Sequence, residues 1–290
     1  MRIVFVLFIA ICSLACNAKR DTIVVGSKNF SEQVLLGEIL AQQIENKTKL
    51  KVNRKLNLGG TFICHNALAA GEMDTYVEYT GTAFTAILKH ETLADPATVS
   101  KIVKDDYVKK FKVDWLPPLG FNNTFAILVR KEDADRLNLK TISDLAQHAP
   151  KMRPGFGYEF MQRKDGYPGL EKLYGLNFTE RPKTMDLMIT YNALAQKKVD
   201  VISGNSTDGL IQKLNLVVLE DNKHYFPPYE AAPILRQETL SRHPEIGAAL
   251  RELGGTINEE KMRQLNSQVD VDKRDVKQVA ADFLKSLKKS

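Results

Sequence analysis

The stretch TIVVGSKNFSEQVLLGEILAQQIENKTKLKVNRKLNLGGT, residues 22–61, decides the fold. Residues 22–26, a short apolar run closed by glycine, have the pattern of a buried strand. Ser31 stands where an N-cap is expected. The helix it would open runs through residues 32–46, and its Val34, Leu35, Ile39, Leu40 and Ile44 fall near one face. "LKVNRK" then alternates as a strand does, and "LGGT" turns the chain into a second helix over residues 62–71. "MDTYVEY", residues 73–79, alternates again. Strand, helix, strand, helix, strand is the order of a parallel α/β architecture.

The order recurs downstream. "NTFAILVRK" (residues 123–131) reads as a strand, and "TISDLAQHA" as a short helix opened by Ser143. "YPGLEKLYG" and "MDLMITYNALAQKK" read as helices, "VDVISGN" and "LVVLED" as strands. From Pro233 onwards the pattern is mostly helical. No repeat period and no low-complexity linker divides the chain. Two α/β halves without a linker predict two lobes, with the chain crossing between them more than once.

At 290 residues the chain can fill two cores, and its 43% hydrophobic and 26% charged content is that of a globular protein. The net charge of +6 is scattered, and with no basic face or recognition motif it predicts no nucleic-acid partner. "MRIVFVLFIAICSLAC" has a basic start, an apolar run too short to span a bilayer, and small residues before Cys16. It predicts a signal peptide over residues 1–16. Leu14-Ala15-Cys16 resembles a bacterial lipobox, with Ser13 where a large aliphatic residue is usual. Cys16 is thus expected to carry lipid, the alternative being an ordinary cleaved signal. Either outcome predicts an extracytoplasmic protein, in the periplasm or on the outer face of the cell membrane. Cys64 would then be the one thiol left, so no internal disulfide is expected.

No catalytic set assembles. His65, His90, His148, His224 and His243 share no metal-ligand spacing. Cys64 and His65 are adjacent on a helix and so point about 100° apart, which excludes a nucleophile–base pair. "GNSTDG" lacks the second glycine of a nucleophile elbow, and "LGGT" lacks the lysine of a phosphate loop. Neither cofactor nor metal is expected. What remains is a set of aromatic and polar residues at the ends of expected elements. Tyr76 and Tyr79 flank one turn; Phe121, Asn122, Asn123, Thr124 and Phe125 open the second half. Arg163, Tyr167, Asn205, Thr207, Asp208, Tyr225 and Tyr229 follow. Singly, each tyrosine reads as a half-buried core residue; together, in loops, they point to a binding cleft.

The motifs "GSKNFSEQVLLGEILAQ", "LGGT", "EYTGT", "GFNNT", "DGYPGL", "STDG" and "FPPYEAAP" occur in the order found in one family. On these the chain resembles the substrate-binding proteins of osmoprotectant ABC importers, which take up glycine betaine, choline, carnitine and related quaternary amines. The likeness runs from about Ile23 to the C-terminus. It implies a two-lobed periplasmic-binding-protein fold with a hinged ligand cleft. Residues 21–125 plus 226–290 would form one lobe and residues 126–225 the other. By motif, the family's aromatic cage falls on Tyr79, Phe125, Asn205 and Tyr229, with Asn123 beside it. Its carboxylate-binding groups fall on Lys28, Thr82 and Arg163.

A trimethylammonium group donates no hydrogen bond, so ring faces must hold it, each worth about 0.5–2 kcal/mol by burial. Two positions depart from the family. Phe125 keeps a ring without the hydroxyl. Asn205 replaces a usual tyrosine and removes a wall, unless Tyr158 or Tyr225 fills it. An amide there suits a larger zwitterion with a polar group, such as carnitine or ergothioneine, for which the family has specialised members. The implied partners are the small amine, an ABC permease with its ATPase, and the membrane through the lipid, with the protein itself a monomer. The rivals are a sensor domain on the same fold and a choline-ester hydrolase, the latter opposed by the missing nucleophile–base pair.

Overall fold

A computed structural model describes residues 22–288. Residues 1–16 and the lipidation expected at Cys16 lie outside the described residues. The chain first lays down β1 (Thr22–Lys28), β2 (Lys51–Gly59), β3 (Thr75–Tyr79) and β4 (Val113–Trp115). It then builds β5 (Phe125–Arg130), β6 (Pro154–Gly157), β7 (Lys183–Met185), β8 (Val201–Asn205) and β9 (Leu216–Leu219), and returns for β10 (Ala231–Arg236). Two mixed sheets result, ordered β2-β1-β3-β10-β4 and β7-β6-β8-β5-β9. The fold is two-lobed α/β, one sheet to a lobe.

In the first sheet β1 runs parallel to β2 and β3, each step made by a helix that covers the sheet. The helix α1 (Ser31–Lys47) buries Leu35, Leu36, Ile39, Leu40 and Ile44. These meet Val279, Phe283 and Leu284 of the C-terminal helix Val276–Leu287 in one core. β3 is buried along its whole length, as a central strand must be. β10 adds antiparallel to it, Ala231 opposite Tyr79 and Leu235 opposite Thr75. The stretch from Pro233, expected to be helical, therefore begins as strand. Its alternation is hidden because both faces are covered, leaving Ala231 through Leu235 uniformly buried.

Two helix starts also differ from the sequence expectation. Phe30, extended at φ −144°, is the N-cap of α1, and Ser31 is its first helical residue with no cap bond from the side chain before it. The helix Ile142–His148 is opened not by Ser143 but by Thr141, whose hydroxyl accepts from Asp144 N while the Asp144 carboxylate accepts from Thr141 N. This reciprocal box satisfies two donors that a lone serine inside the helix could not.

The chain crosses between sheets twice, over residues 116–124 and 220–230. The crossovers pair with each other: Asn122 bridges Glu230, Asn123 N donates to Tyr229 O (3.0 Å), and Tyr229 N donates to Asn122 Oδ1 (2.6 Å). The two lobes are thus joined by a paired two-stranded ribbon, and that ribbon forms part of the cleft wall.

Candidate functional site

Between the sheets lies a cavity of about 110 Å³. Its wall includes Lys28, Tyr79, Thr82, Asn123, Phe125, Arg163, Asn205 and Tyr229. The fold explains the convergence. Lys28, Tyr79 and Asn205 are the last residues of β1, β3 and β8, and Thr82 closes the helical turn after β3. Phe125 begins β5; Asn123 and Tyr229 stand on the paired crossovers; Arg163 follows the helix Tyr158–Gln162. Loops at strand ends are where an open α/β sheet leaves room for a ligand.

The aromatic walls come from both sides of the ribbon. Phe125 and Tyr229 lie edge to face, centroids 5.9 Å apart, and Phe30 stacks on Tyr79 at 6.4 Å. Arg163 places its guanidinium 4.8 Å from the Phe125 ring and 5.8 Å from the Tyr229 ring. Both rings therefore already present π faces to a cation. The Lys28 ammonium stands 5.2 Å from the Tyr79 ring.

The two cations of the wall are each paired with a buried carboxylate. Lys28 Nζ donates to Glu78 Oε1 at 2.5 Å, and Glu78 also accepts from Tyr76 OH and Tyr79 N, both at 2.8 Å. Arg163 makes a fork with Asp165, Nε to Oδ1 at 2.9 Å and Nη2 to Oδ2 at 2.5 Å. Tyr229 OH donates to the same Oδ2 at 2.5 Å. Burial by itself would raise the Asp165 carboxyl, but the adjacent Arg163 and the two sets of hydrogen bonds hold it below the usual range. Two-toothed pairing of this kind keeps a charge in a low-dielectric site without moving its proton.

Asn205 is half-buried and anchored by Asp208: its backbone N donates to Asp208 Oδ2 at 2.8 Å, its Nδ2 to Oδ1 at 3.4 Å. Tyr191 OH donates to Oδ2 at 2.5 Å. Burial pushes the Asp208 carboxyl up to about 7 against these bonds. Tyr158 also lines the cavity, about half exposed. Tyr225 does not replace the wall expected at Asn205. Its hydroxyl is spent on Lys164 O and Gly166 O, behind the Arg163 loop. Tyr76 and Tyr167 are likewise core residues, bonded to Glu78 and Glu171.

Sequence reading missed Phe30, Phe160 and Glu159 on the wall, and Glu32 behind it. Glu159 Oε1 accepts from Thr61 N (3.0 Å) at the start of α2 (Thr61–Ala69), joining the lobes at the cleft mouth. Glu32 is buried in the first turn of α1 and accepts from Tyr79, Asn123, Thr207 and Asn266. An acidic residue at a helix start ordinarily reads as a partner for the helix dipole, so nothing in the pattern singled it out.

The chemistry available is binding. Burial pushes the Cys64 thiol up to about 12 and holds the His65 imidazole below its usual range. His65 packs edge-on against Phe111 at 4.5 Å. Among the described residues no group of three or more His, Cys, Asp or Glu could hold a metal. Nor, among them, is any helix long and apolar enough to cross a membrane.

Comparison with known proteins agrees with this geometry. The profile of the family described as the substrate binding domain of ABC-type glycine betaine transport systems matches residues 21–286. The ergothioneine transport permease/ergothioneine binding protein of Helicobacter pylori is 38% identical over 269 residues, covering 91% of this chain but only 47% of that protein. The chain thus spans about half the length of that relative. The carnitine transport binding protein of Listeria monocytogenes is 35% identical over 282 residues, 96% of this chain and 91% of its own. A crystal structure described as a glycine betaine/carnitine/choline ABC transporter superimposes with a TM-score of 0.75 at 36% identity, covering 91% of this chain and 98% of the other.

Proposed function

We infer the ligand from one premise: the chain belongs to the substrate-binding domains of ABC-type glycine betaine transport systems. It is a binding protein of an importer and not an enzyme. Its cleft captures a small quaternary-ammonium compound of the betaine, choline or carnitine type and hands it to an ABC permease driven by its ATPase. The observation that carries this reading is the meeting of unlike walls in one small cavity. Tyr79, Phe125 and Tyr229 line it beside Lys28 and Arg163. Ring faces suit methylated ammonium, which offers no donor, and the two cations suit a carboxylate at the ligand's other end. The Thr82 hydroxyl adds a polar contact beside them.

A larger betaine carrying a polar ring, such as ergothioneine, is the second reading. The half-buried Asn205 amide favours it, since a plain trimethylammonium group gains nothing from a donor and acceptor at that wall. The family role and the sequence of residues 1–16 support an extracytoplasmic protein anchored through Cys16. A thermal-shift and calorimetry series with glycine betaine, choline, carnitine, proline betaine and ergothioneine tests the reading. A true ligand at about a hundred times its Kd adds about 2.7 kcal/mol of stability. If no member of the series raises the Tm, the reading fails.

A further inference from the structure

We propose that Glu32 is a positioning residue that joins the lobes and orients the cage, so that closure and cage assembly are one event. This rests on the cleft being the ligand site. Glu32 lies outside the cavity wall and is only 2% exposed. Its Oε1 accepts from Tyr79 OH and from Asn123 Nδ2, both at 2.7 Å; its Oε2 accepts from Thr207 Oγ1 at 2.5 Å and Asn266 Nδ2 at 2.8 Å. The donors have four origins: the end of β3, the first crossover, the turn after β8 in the second lobe, and the helix Glu259–Asp270. One carboxylate thus gathers both lobes and the ribbon between them.

The arrangement has a cost that marks it as selected by this carboxylate. Asn123 and Asn266 each give their Nδ2 to Glu32, and each leaves its Oδ1 buried without a partner. Buried amides left half-satisfied are expensive, so their orientation is dictated by the acceptor they face. Asn266 Nδ2 also donates to Thr207 O at 2.9 Å, gripping the second-lobe turn by its carbonyl while Glu32 takes its hydroxyl. That turn begins two residues earlier at Asn205, on the cavity wall. When the second lobe swings away, Thr207 leaves Glu32. Of the donors to Oε2, Asn266 then remains alone. Tyr79 and Asn123 stay bonded to the other oxygen of the same group, which has lost one of its four donors.

Thr207→Val is the decisive variant, because it deletes the cross-lobe hydroxyl and leaves the Tyr79, Asn123 and Asn266 bonds in place. Stopped-flow release of glycine betaine or ergothioneine, whichever the thermal-shift series shows to bind, should quicken about ten- to a hundredfold, the loss of one charge-assisted hydrogen bond, with association unchanged. Thr207→Ser should restore the wild-type rate. Glu32→Gln turns a donor toward donors and should weaken binding about tenfold or more. A fluorophore pair on Lys101→Cys and Lys172→Cys, read without ligand, should report a more open distribution for Thr207→Val than for its parent. If Thr207→Val lowers the Tm but leaves release rate and lobe distance unchanged, Glu32 merely supports the first lobe and the proposal is overturned. Should the wild type bind no probe, the ligand reading fails, while the lobe-distance comparison still decides the role of Glu32.

Discussion

On the proposed reading, the side chain of Asn205 is what separates the two ligand classes. Its amide is held toward Asp208, on the cavity wall opposite its cross-strand partner Phe125. Asn205→Tyr should tighten glycine betaine by about 0.5–1 kcal/mol through a new ring face and weaken a larger native zwitterion by filling its space. Calorimetry with both ligands checks this; equal effects on the two would mean that Asn205 does not select. Tyr79→Ala should cost about 1–2 kcal/mol with any quaternary amine, measured the same way. Asp208 behind Asn205 gives a pH signature. Its carboxyl is raised from 3.8 to about 7 by burial, so the fold keeps a proton that the unfolded chain has released. The stability this lends is complete below the unfolded value and is lost as pH rises through about 7. Between about pH 5 and pH 8 the wild type should therefore lose about 1–3 kcal/mol relative to Asp208→Asn in urea titrations. The wall residues Lys28, Tyr79, Thr82, Phe125, Arg163, Asn205 and Tyr229 were legible through the family motifs that carry them. Glu32 was not, since its partners come from positions as far apart as Tyr79 and Asn266 and meet only in the fold.

Elements were readable where one face is wet or the apolar run is bounded by turns, as in β1, α1 and β5. The short strands β4, β6 and β7 were not, because three or four residues hold too little of a period to be seen. β10 was obscured by burial on both faces. Caps were read one or two residues out of place, at Ser31 and Ser143. The second error is testable: Thr141→Ala should cost about 0.5–2 kcal/mol by losing the box with Asp144, whereas Ser143→Ala, at an exposed contact with Asn222, should stay within about 0.5 kcal/mol. The crossovers carry their own constraint. Gly120 sits at φ +115°, and a Cβ there would stand 2.9 Å from Ile257 O. Gly120→Ala should destabilise by about 1–3 kcal/mol in chemical denaturation, through backbone strain that no side-chain movement relieves.

For the whole molecule, the two-lobed plan was legible in the recurrence of α/β order and in the family motifs; the pairing of the crossovers was not, because it depends on residues 122 and 230 meeting across the second lobe. With the ribbon as hinge, small-angle scattering should show a smaller radius of gyration on adding saturating ligand, and an unchanged radius would argue against closure. The position of β10 also sets an order of events during synthesis. β5 to β9 are contiguous, so the ribosome delivers every strand of the second sheet in one run. The first sheet cannot finish then, because β10 belongs between β3 and β4 and is made last. A nascent chain that has reached residue 225 therefore has no partner for one long edge of β3, a strand with every residue buried in the finished protein. Such an edge is an invitation to intermolecular pairing. That edge stays open until residues 231–236 emerge to take the place.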